Sequence, residues 1–488
     1  MSQHARILKG TSFLAASEVT TQGCSLVRNV ILARYLTKAD FGVAAALAMI
    51  ITLFEMASKM ALGQQVIQSP RGDDPAFLNS VQFTQLALGI ISAALILVFA
   101  WPLSHFFCGG HYTLAIVALS LVPFMNGLVN LDVYRASRHL DFRPQVVPEA
   151  VSQITTTLAA WPLAFCFGDY RAVLCIFIGK ALMSAAMTNY MAERPFAPKY
   201  DRPLLRESLK FGGPLLVAGF VQFGNFQGDS MVIAATYSLP QLGEYSVGLT
   251  LAMAPLLAVM RIGGAVGLPL LSAVQTDLRR FLWRYSQYAQ SMVLIGCFAM
   301  LCMTFCGEQI VVFLYPKYAG VGTLATCLMA AQTLRTLRGA TVAAAMARGD
   351  TVNNLKSSAW RLSGLPLAIM VGVLKGSLLW FAVSGFIGES IALGVAVAGL
   401  KSRHGIPAKA TFIPLSVGLA LVVVAYIVKC VVGAGPYSYF NLLLLAVSLG
   451  AAGLIFTVFF AEFRAGVLSL VNHFRVKPPS ALAAKSVS

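Results

Sequence analysis

Acidic side chains are scarce in this chain. Its 488 residues hold 19 Asp and Glu against 36 Lys and Arg, a formal net charge of +17. Charged residues of either sign make up only 11%, against about 25% in an ordinary soluble domain. Histidine is rarer still, at 6. The nine cysteines form no CxxC, and although Cys302 and Cys306 share a helix face, no histidine pair stands beside them. They read as small core hydrophobes, and no metal site follows from their spacing. No run of five like charges exists, so the basic balance does not point to nucleic acid. No GxxxxGK[ST] is present, and the longest polar break, at 193–208, is too short for a nucleotide-binding or catalytic domain. These absences argue against a self-contained ATP-driven pump and against a glycan-building enzyme with a catalytic outer loop. They imply no cofactor.

What the chain has instead is apolar length. Hydrophobic residues are 58% of it, gathered in about fourteen blocks, each near the roughly 20 residues that a helix needs to cross a bilayer. The spans are placed at 10–36, 41–66, 77–103, 112–134, 146–168, 172–192, 209–236, 243–270, 287–308, 319–346, 357–374, 377–400, 411–431 and 438–462. The start, MSQHARILKGTSFLAASEV, lacks a compact apolar core with a small-residue cleavage site and is read as the entry to the first helix. The expected fold is therefore an all-α polytopic membrane protein.

Basic residues test the topology. With the N-terminus inside, the cytoplasmic ends hold 24 Lys and Arg and the outer loops only Lys38, Arg171, Lys317, Lys375 and Lys429. This bias predicts both termini in the cytoplasm. An internal repeat sets the halves. RNVILARYLTKADFGVAAALAMI from Arg28 matches DSMVIAATYSLPQLGEYSVGLTLAM from Asp229, with Gly42 and Gly243 at equivalent places. Two pseudo-symmetric six-helix bundles are expected, 1–192 and 209–400, joined by a basic cytoplasmic linker at 193–208. Two extra helices at 401–463 and a cytoplasmic tail at 464–488 follow. Parallel repeats of this kind are a transporter architecture.

Four features carry a family resemblance: LARYLTKADFGVAAALAMI from Leu32, YRASRHLDFRPQ from Tyr134, GDSMVIAATYSLPQLGEYSVG from Gly228, and the fourteen-span layout. Together they resemble the polysaccharide-exporting branch of the multidrug/oligosaccharidyl-lipid/polysaccharide flippases, the Wzx-type O-antigen and exopolysaccharide flippases. The resemblance implies a transporter, not an enzyme, that carries polyprenyl-diphosphate-linked oligosaccharide units across the bacterial inner membrane by alternating access. It also implies a coupling proton or sodium ion, and glycan polymerase or export machinery as partners. The competing readings are a multidrug or cation exporter of the related branch and a membrane-embedded glycan polymerase.

Charges inside spans are costly, so they mark cavities or partners. The cavity candidates are Arg28, Lys59, Lys180, Arg261, Arg335 and Arg338; the gating or ion-coupling candidates are Glu55, Asp229 and Glu389. Glu55 and Lys59 stand at i and i+4 and can neutralise each other. Asp229 holds the repeat position of Arg28, which allows a bridge between the bundles, or a local pairing with Asn225 or Gln227. Arg34 lies near a helix end, from which it can reach the interface. Arg335 and Arg338 share a helix face and call for an anion between them, either a diphosphate or lipid headgroups. Glu389 is the candidate protonatable group. With Glu18 included, cations exceed anions, so a net positive interior is expected. Polar side chains such as Gln153, Gln222, Asn225 and Gln332 can bind sugar hydroxyls or simply hold helices together.

Overall fold

Runs of Leu, Ala, Val and Ile without strand-like alternation become helix throughout. The computed structural model describes residues 3–58, 62–138, 141–432, 435, 439–466 and 468. Among them there is no strand. The α-helices are α1 (Gln3–Tyr35), α2 (Lys38–Ser58), α3 (Leu62–Gln68), α4 (Pro75–Val98), α5 (Ala100–Cys108), α6 (Thr113–Leu119), α7 (Leu121–Gly127), α8 (Asp132–Arg138), α9 (Arg143–Phe167) and α10 (Arg171–Met191). They continue as α11 (Arg202–Thr236), α12 (Leu239–Ser272), α13 (Leu278–Leu314), α14 (Gly322–Ala347), α15 (Val352–Arg361), α16 (Leu365–Val373), α17 (Leu379–His404), α18 (Lys409–Val432) and α19 (Phe440–Phe459).

Among the described residues nine of these helices are long and apolar enough to cross a membrane, or ten if the bent pair of α6–α7 with α8 counts as one span. The expected all-helical, multi-pass character is borne out. Several expected spans are broken, however. The one at 77–103 divides at Phe99 into α4 and α5, and the one at 112–134 divides into α6, α7 and α8, with a 45° bend. The one at 357–374 contains the end of α15, a 3-10 turn and α16. Apolar composition survives a break, so hydropathy alone runs across it. In α18 and α19 only 22% and 11% of the apolar window is buried within the protein; lipid has to cover the rest.

Helix starts follow local chemistry. Asp74 caps α4, its carboxylate accepting from Ala76 N at 3.0 Å, with Pro75 in the first turn. Asp201 caps α11 in the same way through Leu204 N at 3.1 Å. Both use a short acceptor to satisfy an orphan N–H, and a proline where no N–H is needed.

The contacts divide the chain into two compact units. The first is Met1–Ala254 with Val311–Leu324 and Leu362–Gly385. The second is Pro255–Ile310, Ala325–Arg361 and Phe386–Ser488. In the first, the two turns of the sequence repeat meet face to face. A Cβ on Gly42 would overlap the Leu239 carbonyl, and one on Gly243 would come within 2.6 Å of the Lys38 carbonyl. Lys38 Nζ joins Glu244 Oε1 at 2.7 Å across the same contact. Arg34 donates to the Phe313 carbonyl at 2.8 Å, and Lys317 to those of Tyr35 and Leu36 at 3.1 and 2.8 Å. These cations satisfy carbonyls left open at helix ends. The basic stretch after α10 lies along the first unit as well. Glu193 N and Arg194 N donate to Asp132, and Lys199 N donates to the Asn79 carbonyl.

In the second unit, Asp350 ties the α14–α15 turn to the end of α17 through Arg403 at 2.7 Å and His404 at 3.3 Å. Burial pushes the Asp350 carboxyl up, but the Asn353 backbone N–H, His404 and Arg403 outweigh it and hold it below its ordinary value. A depressed carboxyl adds stability above its unfolded value and loses it as pH falls through the folded one.

The repeat contact gives a direct prediction. Gly42→Val should destabilise the purified protein by about 1–3 kcal/mol, the usual range for overpacking, read as an earlier thermal transition in detergent. Gly394→Ala, whose Cβ meets nothing within 4 Å, should leave that transition in place.

Candidate functional site

The first unit holds a partly open cavity of about 820 Å³ whose largely apolar lining is interrupted by charged and amide side chains. One wall is a chain of side chains from three helices. Glu149 and Gln153 stand one turn apart on α9 and therefore share a face. Gln153 Nε2 donates to Glu149 Oε1 at 3.0 Å, and Arg28 of α1 donates from Nη1 to Gln153 Oε1 at 3.0 Å. Lys180 of α10 stands 3.3 Å from Glu149 Oε1. The Gln153 amide thus turns its oxygen to the guanidinium and its nitrogen to the carboxylate, so that both contacts pair a donor with an acceptor. Pro148 precedes Glu149 and withholds an N–H from the preceding turn of α9.

The facing wall is built on the helix break at 128–131. Gln85 Nε2 donates to the Asn126 and Val129 carbonyls at 2.8 and 3.0 Å, at and just beyond the end of α7. Asn126 Nδ2 in turn donates to Glu55 Oε1 at 3.0 Å. Glu55, Gln85, Asn126, Arg28, Glu149 and Lys180 all line the cavity. Its charged lining among the described residues is two cations and two anions, so the expected cationic excess is absent from this cavity.

The second unit holds the other cluster. Glu389 of α17 accepts from Arg335 Nε at 2.7 Å and Arg338 Nε at 3.0 Å, both on α14, and stands 3.4 Å from Arg361 Nε at the end of α15. Arg335 and Arg361 are each 4% exposed and Glu389 is fully buried. The anion between Arg335 and Arg338 is therefore a side chain of the protein, in the position the sequence left for a diphosphate or headgroups.

Of the other candidates, Lys59 lies outside the described residues, and so do the side chains of Arg261 and Glu18. Asp229 is buried in α11 of the first unit. Arg28 donates to Gln153 on α9 of the same unit. Two participants were missed. Glu149 stood inside an expected span and was passed over, although a carboxylate one turn before Gln153 was the available signal. Arg361 was counted as a loop cation, but it is buried in the Glu389 cluster. Nothing in local sequence separates a cation at a span edge from one inside it.

Against known proteins, the family described as "Polysaccharide biosynthesis protein" matches residues 31–318. The chain belongs to that family. The resemblance read from the sequence is borne out at this level. Two relatives of similar sequence are the amylovoran biosynthesis protein AmsL of Erwinia amylovora and the succinoglycan biosynthesis transport protein ExoT of Rhizobium meliloti. The first is 23% identical over 56% of this chain and 71% of its own length; the second is 23% identical over 56% and 55%. Among solved structures, the lipid II flippase MurJ in an inward closed conformation has a TM-score of 0.71 at 16% identity, covering 93% of this chain and 99% of its own. That likeness is one of fold: this member of the polysaccharide biosynthesis family is an all-helical multi-pass membrane protein.

Within it, the Glu389 cluster makes a testable claim about stability. Removing one member of a buried ion cluster leaves uncompensated charge and costs about 3–5 kcal/mol. Glu389→Gln should sharply lower the temperature at which the detergent-solubilised protein loses its single size-exclusion peak. Adding Arg335→Met to that variant should recover part of the loss.

Proposed function

We propose that this protein is a flippase moving polyprenyl-diphosphate-linked oligosaccharide repeat units across the bacterial inner membrane for exopolysaccharide or lipopolysaccharide assembly. The observation that carries the reading is a roomy cavity lined by Arg28, Glu55, Glu149 and Lys180 inside an otherwise apolar chain of the polysaccharide biosynthesis family. Charge placed inside a membrane protein marks a substrate path. ExoT is named a biosynthesis transport protein and MurJ a lipid II flippase, and both names support a transporter of glycan intermediates rather than a bond-making enzyme.

In this reading both termini are cytoplasmic. The bundles 1–192 and 209–400 alternate access to a site loaded from the cytoplasmic leaflet, while 401–463 adds two lipid-facing spans and 464–488 remains in the cytoplasm. Arg28 and Lys180 bind the substrate. Its diphosphate falls to cations outside the Arg28–Lys180 chain, Arg261 among them. Glu55 and Asp229 are the proposed gating or coupling carboxylates, driven by a proton or sodium gradient. Glu389, fixed among three guanidiniums, acts as a clamp on α14, α15 and α17 rather than as a proton carrier. The cation-exporter alternative calls for an acidic cavity, and the balanced lining speaks against it.

A strain lacking the protein should lose surface glycan and accumulate lipid-linked units on the cytoplasmic side. Plasmid-borne wild type should restore export. Arg28→Ala and Lys180→Met, expressed at equal level, should restore it at least about tenfold less well, a loss of ~1.4 kcal/mol. Units accumulating on the outer face would instead assign the protein to polymerisation. Unchanged glycan with new sensitivity to toxic cations would assign it to drug export.

A further inference from the structure

We infer that the first unit's cavity is the sugar-binding part of the transport site, that it takes an uncharged polyol segment of the oligosaccharide, and that Glu149 turns acidic sugars away. This rests on the flippase reading above and adds to it the chemical class of the glycan.

Size comes first. About 820 Å³ falls among cavities of roughly 300–1,000 Å³ that enclose drug-sized ligands. It suits several sugar rings and is far larger than a site for one coupling ion.

The wall chemistry is the second argument. Glu149 and Lys180 keep 43% and 35% of their side chains exposed, so both reach the cavity while remaining paired. Lys180 meets Glu149, and Arg28 meets Gln153. Each cation is thus answered by an acceptor on α9, with Gln153 buried behind the lining, and the cavity surface itself sets the donors Arg28 and Lys180 beside the acceptor Glu149. A hydroxyl, donor and acceptor at once, matches such an array. A carboxylate or a diphosphate only accepts. It would have to compete with Glu149 for Lys180 while facing Glu55 and Glu149 themselves, in surroundings where like charges repel far more strongly than in water.

An aromatic platform is the third. Tyr134 lines the cavity and packs on Gly63, where a Cβ would lie 2.9 Å from its ring. Only a residue without a side chain leaves the ring in that place. Phe142 lines the cavity as well. Such rings offer the C–H face of a pyranose an apolar surface beside the polar wall.

The test uses the full chain purified in lipid nanodiscs, with three probes: a neutral trisaccharide, a trisaccharide of the same length ending in a uronic acid, and inorganic diphosphate. Binding is followed by thermal shift and calorimetry. The neutral sugar should bind at least about tenfold more tightly than the uronate, a difference of ~1.4 kcal/mol, and diphosphate should not displace it. Glu149→Gln should close the gap, and Gln145→Glu, which adds a carboxylate to the lining, should widen it. The two variants push the ratio in opposite directions, so the loss of either to misfolding leaves the other decisive. Equal binding of both sugars, displacement by diphosphate, or a ratio that neither variant moves would overturn the inference. Export by the wild-type protein in the deletion strain is scored separately. Intact export with a flat ratio removes this inference alone, whereas a deletion strain that exports normally removes the flippase reading too.

Discussion

Charge carried into an apolar helical protein has to be answered within reach of its own side chain, because neither lipid nor a hydrocarbon core will answer it. The two units meet that requirement in opposite ways. In the second, three arginines close on one carboxylate until Arg335, Arg361 and Glu389 are all but sealed from solvent. In the first, Arg28, Glu149 and Lys180 line an open cavity while paired to one another through the buried Gln153 or directly. The sealed cluster answers its carboxylate from three guanidiniums and serves as a joint between helices. The open one has its charges balanced and its surface still available, which is what a site that binds and releases a polar ligand needs.

The helix breaks are part of the same design. Where α7 ends before α8, Gln85 donates to the carbonyls of Asn126 and Val129, the first of which also accepts from Val129 N at 3.4 Å. The same amide also gives the cavity a polar edge. Irregular backbone at membrane depth is tolerated where it lines a cavity or is buried in protein, and the bend at 128–131 lies at such a place.

Much of this was legible in the sequence. The repeat read from Arg28 and Asp229 put Gly42 and Gly243 at equivalent positions, and the structure makes them the residues on which the two repeat turns meet. A glycine pair at a pseudo-symmetric turn is visible because close backbone approach tolerates no other residue. Arg28 and Lys180 were visible as charges in apolar runs, and both line the cavity. What stayed hidden depended on contacts across the chain. Pairing of Glu149 with Lys180 and of Glu389 with Arg361 follows from helix rotation and packing, which apolar composition does not encode. The breaks at Phe99 and Ser120 lie inside runs whose hydropathy hardly changes, so the pattern passed over them.

The central claim is that the glycan of a lipid-linked intermediate occupies the cavity of the first unit. The most direct measurement is photo-crosslinking in native membranes with a polyprenyl-diphosphate-linked oligosaccharide that carries a diazirine on its terminal sugar, with adducts mapped by mass spectrometry. The account predicts adducts on the cavity lining, at Gln145 and Ser184 among others, competed away by unlabelled substrate. Adducts confined to the exposed faces of α18 and α19, or to the second unit, would contradict it.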